Sequence, residues 1–161
     1  MSVLAAKRKE SRDEAIAYSL ELYDMLIELM QRSFGIKSTD QYVRKQFSTG
    51  KGVEADYAAN VYIMLSLKEQ IERAASLLTS NLRAARSLYP TSVHEYEIRR
   101  DYLNAGIVNC NQLIHLLQRA VGRFNVDLNV YGRYIKAIDR EIELIKKWRQ
   151  RDNKIKSYLP G

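Results

Sequence analysis

Four stretches of this chain repeat apolar residues at alternating steps of three and four, and that rhythm leaves few folds open, because it lays side chains along one stripe of an α-helix. The first stripe is Ile16, Leu20, Tyr23, Ile27, Met30 and Phe34. The second runs Tyr57, Val61, Met64, Lys68, Ile71, Ala75, Leu78, Leu82, Ala85 and Tyr89, broken only at Lys68 and stopped by Pro90. The third carries Tyr96, Leu103, Ile107, Cys110, Ile114, Leu117, Val121 and Phe124. The fourth places Tyr131, Ile135, Ile138, Ile142 and Ile145 in line, with Leu144 and Trp148 beside them. Two prolines and seven glycines in 161 residues permit long uninterrupted helices and disfavour a many-turned sheet. A hydrophobic fraction of 46% is enough to bury one core.

Boundary signals agree with the stripes. Ser11 with Glu14 and Ser92 with Glu95 form capping boxes that open the first and third helices, and Gly35 sits where the first would end. The connection from Gly35 to about Gly52 is the longest, and its Ser38, Asp40 and Val43 suggest a short extra helix before the turn at Ser48 to Gly52. The other two connections are tight, which favours antiparallel neighbours. The expected fold is therefore all-α, an antiparallel up-down-up-down four-helix bundle over residues 11–158 preceded by a basic tail over residues 1–10. The spacing suits left-handed knobs-into-holes packing. Ala105 and Gly106 narrow the third helix, which would let a neighbour approach closely where a glycine otherwise weakens the helix. Lys7, Arg8 and Lys9 precede no apolar run, so neither a signal peptide nor a membrane anchor is expected and the cytoplasm is the expected compartment. A lone cysteine, Cys110, has no partner for an internal disulfide and reads as a core residue.

Charge is spread unevenly. From Arg133 to Gly161 there are nine Lys or Arg against four Asp or Glu, +5 of the chain's net +7. Arg133, Lys136, Arg140, Lys147, Arg151 and Lys154 recur at threes and fours, interrupted by Glu143, and each lies about two residues, roughly 200°, from the apolar stripe. A nearly single-signed face of this kind attracts a phosphate backbone, because each neutralised phosphate releases condensed counterions. Arg99 and Arg100, opening the third helix, form a second candidate contact, and Lys7, Arg8, Lys9 and Arg12 would widen the surface. From Asp13 to Gln31 the first helix is the opposite: Asp13, Glu14, Glu21, Asp24 and Glu28 with no Lys or Arg. Both charged faces are expected to look outward, poorly placed to pair within one bundle but able to pair head to tail between copies and so close a ring.

No catalytic or metal-binding constellation is expected. Neither His94 nor His115 follows a Glu at the spacing of a di-iron bundle or an Arg at that of helical ribonucleases, and His115 reads as a packing or flanking residue. Gly50-Lys51-Gly52 lacks the spacing of a phosphate-binding loop, and nucleophile signatures and cofactor motifs are absent.

Three segments carry a family resemblance. Arg32-Ser33-Phe34-Gly35-Ile36-Lys37, Arg99-Arg100-Asp101-Tyr102-Leu103-Asn104-Ala105-Gly106, and Ile142 to Lys154, reading I-E-L-I-K-K-W-R-Q-R-D-N-K, resemble the four-helix-bundle family of the accessory variability determinant of diversity-generating retroelements. That family also takes in the proteins encoded in intervening sequences of 23S ribosomal RNA. The resemblance spans about Ser11 to Lys154 and implies a non-enzymatic homopentamer that binds a reverse transcriptase and nucleic acid, template RNA or complementary DNA, in support of mutagenic retrohoming. Five copies would gather roughly +35 on one assembly. The alternatives are a protein of the intervening-sequence type and a helical scaffold that binds only proteins.

Overall fold

The computed structural model describes residues 3–32, 34, 53–124 and 126–161, with side chains described from residue 13 in the first helix and from residue 61 in the second. Four helices follow one another within them: α1 (Val3–Gln31), α2 (Val53–Ser87), α3 (Val93–Arg123) and α4 (Leu128–Lys156). The described residues contain no strand. The extra helix expected near Ser38 to Val43 and the stop expected at Gly35 lie outside the described residues. No described helix is long and apolar enough to cross a membrane.

Cross-helix bonds fix the directions. Ser19 meets Thr79 at 3.0 Å, Tyr23 donates to Glu72 at 3.2 Å and Asp13 pairs with Arg86 at 2.7 Å, so α1 and α2 run oppositely. Arg99 to the Leu88 carbonyl with Asn81 to Asn109 turns α3 back along α2, and Arg99 to Asp152 with Asn104 to Arg149 turns α4 back along α3. Glu14 near Arg140 and Phe34 near Tyr131 close the circuit between α1 and α4. Each helix is antiparallel to the neighbour before it, giving the expected up-down-up-down bundle.

Local chemistry sets the helix ends. At α3 the Ser92 hydroxyl accepts the Glu95 amide at 3.3 Å, while the Glu95 carboxylate takes the Thr91 amide and hydroxyl at 2.6 Å each; these bonds hold the carboxyl below its usual range. Asp127 caps α4 by accepting the Asn129 amide at 2.9 Å. The start of α1 departs from expectation, since helix begins at Val3 and takes in the supposed basic tail; Ala, Leu, Lys, Arg and Glu there are good helix formers with no Gly or Pro among them. After α1 it is Phe34 that adopts the left-handed conformation, φ 61°. That backbone costs a bulky residue on the order of 1–2 kcal/mol, offset by burial of its ring, stacked on Phe124 at 5.8 Å, and by the Tyr131 hydroxyl donating to its carbonyl at 3.1 Å.

The core confirms the helices and corrects their rotation. In α1 the buried residues are Ala15, Ile16, Ser19, Leu22, Leu26, Leu29 and Met30, with Tyr23 and Ile27 half-buried and Leu20 exposed. Steps of three and four fit two adjacent stripes equally well, and the centre of the buried arc is the one that touches both neighbours. In α2, Leu67 and Ala74 join the core while Val61 is exposed, as is Tyr89 beyond its end; in α3, Leu113, Leu116 and Ala120 are buried and Ile107, Ile114 and Val121 flank them. Gly106 performs its expected role. A Cβ there would sit 3.2 Å from Leu82 Cδ2, 3.5 Å from Ile145 Cδ1 and 3.6 Å from Leu78 Cδ1, so α2 and α4 pack against the glycine itself.

Candidate nucleic-acid interface

Helix α4 presents the basic residues because its other side is apolar. Ala137, Ile138, Ile142, Leu144, Ile145 and Trp148 are buried, and Arg133, Lys136, Arg140, Lys147 and Lys154 are exposed. The buried arc is wider than the isoleucine stripe and is shifted by Ala137, Leu144 and Trp148. Its centre lies roughly 130° from the cations, nearer than the expected 200°. The basic row therefore leans over the groove between α4 and α1. Arg151, in the same row, is half-buried.

Arg140 records this lean. Its guanidinium lies over the Tyr18 ring at 4.8 Å and 3.9 Å from the Glu14 carboxylate. The acidic face of α1 and the basic face of α4 were expected not to pair within one bundle, and at this position they do, because both rows border one groove. The pair is solvent-exposed, 61% and 49%, and stretched, so it contributes less than about 1 kcal/mol. Glu21, Asp24 and Glu28 remain exposed on α1. Burial pushes the Tyr18 phenol up, opposed by Arg140.

The second candidate pair separates. Arg100 is exposed, whereas Arg99 is 1% exposed and cannot reach a phosphate from where it is. Its Nε lies 2.9 Å from Asp152 Oδ2, its guanidinium sits 5.4 Å from the Trp148 ring centre, and Nη1 donates to the Leu88 carbonyl at 3.3 Å. A guanidinium enters a core only with such partners. The signal was in the spacing, since Arg99 falls on the stripe between Tyr96 and Leu103, and Asp152 is four residues beyond Trp148. Around this pair, the Tyr96 hydroxyl donates to Asn153 Oδ1, Arg149 donates to Asn104 Oδ1 at 2.8 Å, and Lys156 lies over the Tyr96 ring at 5.6 Å. Parts of two of the three segments that carry the family resemblance are thus fastened together, joining the start of α3 to the end of α4.

Glu141 is the residue that sequence reasoning missed. It follows Arg140 by one position, which turns its carboxyl from the basic row into the core. It is 0% exposed, neither oxygen has a hydrogen-bond partner among the described residues, and burial pushes its carboxyl up to about 8. Cys110 is buried as expected, and burial pushes its thiol up. His115, expected to pack or flank, is exposed, as is His94. Among the described residues no three His, Cys, Asp or Glu converge as metal ligands.

No family model, curated protein or solved structure matches this chain.

Proposed function

We propose that this bundle is a non-enzymatic, nucleic-acid-binding accessory protein of a diversity-generating retroelement, which engages the reverse transcriptase and its template RNA or complementary DNA as a homopentamer. The observation that carries the binding part is the row Arg133, Lys136, Arg140, Lys147 and Lys154, exposed along one helix that is rigidly packed on its other side. Phosphates attract such a row by counterion release, and contacts of this type position a strand without reading its bases. The retroelement context rests on the resemblance of the motif segments around Arg99 and Trp148.

Lys136, Lys147 and Lys154 are the cleanest test, because Arg140 leans on Glu14 and Tyr18 and Arg151 is half-buried. Replacing all three with glutamine should flatten the logarithmic salt dependence of RNA binding by about two units while the protein stays folded. An unchanged slope and affinity would assign this face to protein contacts and favour the scaffold reading. Co-purification with a reverse transcriptase encoded nearby and with its RNA tests the context; a ribosomal RNA interruption as the gene's setting would favour the intervening-sequence type.

A further inference from the structure

The two most exposed large apolar side chains among the described residues are tyrosines, Tyr89 at 81% and Tyr158 at 87%, and they stand at one end of the bundle. Tyr89 lies in the turn between α2 and α3, and Tyr158 follows α4. The amide of Val93 donates to the carbonyl of Pro160 at 3.2 Å, which ties the two segments together. At no more than about 3.5 Å per residue, Tyr89 lies within about 14 Å of that bond and Tyr158 within about 7 Å.

Neither ring hangs on loose chain. Tyr89 sits between Leu88, whose carbonyl is held by Arg99, and the buried Pro90, with the Thr91 amide bonded to Glu95 beyond it. Tyr158 and Leu159 donate their amides to the carbonyls of Ile155 and Lys156 at 3.0 and 3.2 Å. Fixed backbones presenting bare rings to water are pre-organised for a ligand that covers flat apolar faces. The surrounding charge selects the ligand. Lys154, the last cation of the basic row, stands four residues before Tyr158, Lys156 two before it, and Arg100 is exposed on the same end of α3. Three carboxylates at this end are engaged: Asp13 by Arg86, Asp152 by Arg99 and Glu95 by Thr91. Glu97 and Asp101 occupy the outer face of α3, away from Arg99.

We propose that this end is a stacking platform for the unpaired bases of a single-stranded nucleic acid, whose backbone runs along the α4 row and whose bases lie on Tyr158 and Tyr89. This deepens the proposed function and rests on it. Bases in a duplex are already stacked on one another and have no free face for a tyrosine, so the platform selects single strands. It accepts any sequence, because every base has a π-face.

The test uses the full chain with a fluorescein-labelled oligouridylate of about 20 nucleotides and an RNA duplex of about the same length, followed by anisotropy. In the Tyr89→Ala/Tyr158→Ala variant, strand affinity should fall at least about tenfold with the salt slope unchanged, while duplex affinity stays within about twofold of wild type. Tyr89→Phe/Tyr158→Phe should retain strand binding, because the ring and not the hydroxyl stacks. Strand affinity that is unchanged in the alanine variant, or strand and duplex affinities that fall equally, would overturn the platform. The triple lysine variant separates the two readings: if it weakens binding and the alanine variant does not, the platform fails and the phosphate-binding row stands. If wild type binds neither probe at low salt, both fall.

Discussion

Replacing Glu141 with glutamine should remove a large pH dependence of stability. In the folded chain burial raises this carboxyl from its ordinary 4.5 to about 8, because ionising it would place an unsolvated charge between α1, α3 and α4. Among the described residues the groups around it are Glu14 and Tyr18 on α1, Cys110 on α3 and the adjacent Arg140, and of these only Arg140 favours the ionised form. A carboxyl raised on folding stabilises the fold fully below its unfolded value and loses that contribution as pH climbs to the folded value. Between pH 4.5 and about 8 the unfolding free energy should therefore fall by about 1.4 kcal/mol per pH unit, about 5 kcal/mol in all. That is a large share of the 5–15 kcal/mol that typically holds a domain together. Urea unfolding followed by far-ultraviolet circular dichroism, from pH 5 to 8, measures it. Glu141→Gln should hold nearly level across that range and exceed wild type by about 4 kcal/mol at pH 7.5, relative to their difference at pH 4.5. A difference between the two proteins that stays constant from pH 5 to 8 would refute the reasoning and mean that water or a rearranged partner solvates the carboxylate.

Other perturbations test the packing and the assembly. Gly106→Val should lower the urea midpoint by the equivalent of about 1–3 kcal/mol, since its branches would enter space held by Leu82, Leu78 and Ile145; Gly106→Ala should be nearly neutral, its helix propensity offsetting the 3.2 Å contact. Arg99→Met should cost about 3–5 kcal/mol by leaving Asp152 buried without its guanidinium, and adding Asp152→Leu should recover most of the loss in the same denaturation assay. Light scattering should give an oligomeric mass at micromolar concentration and moderate salt, and reversing Glu21, Asp24 and Glu28 to lysine should dissociate it; an assembly that survives the reversal rules out charge pairing as its basis, and a monomeric wild type rules out the assembly itself.

Periodicity determined the number, order and approximate extent of the helices, because a repeat of threes and fours is a property of a helix alone and needs no partner to be read. Turn chemistry was legible for the same local reason, as the Ser92 and Glu95 cap illustrates, and so was the close approach at Gly106. The rotation of each helix about its axis was not. Leu20 and Leu22 both sit on acceptable apolar stripes, and only contact with two neighbours at once selects Leu22 for the core. That rotation decided the fate of the candidate site: it tilted the α4 cations towards α1, brought Glu14 to Arg140, buried Arg99 against Asp152 and drove Glu141 inward. Charge on a stretch of sequence is a sum, fixed by composition, whereas whether a charge meets phosphate, a carboxylate or an apolar core depends on what the other three helices place around it.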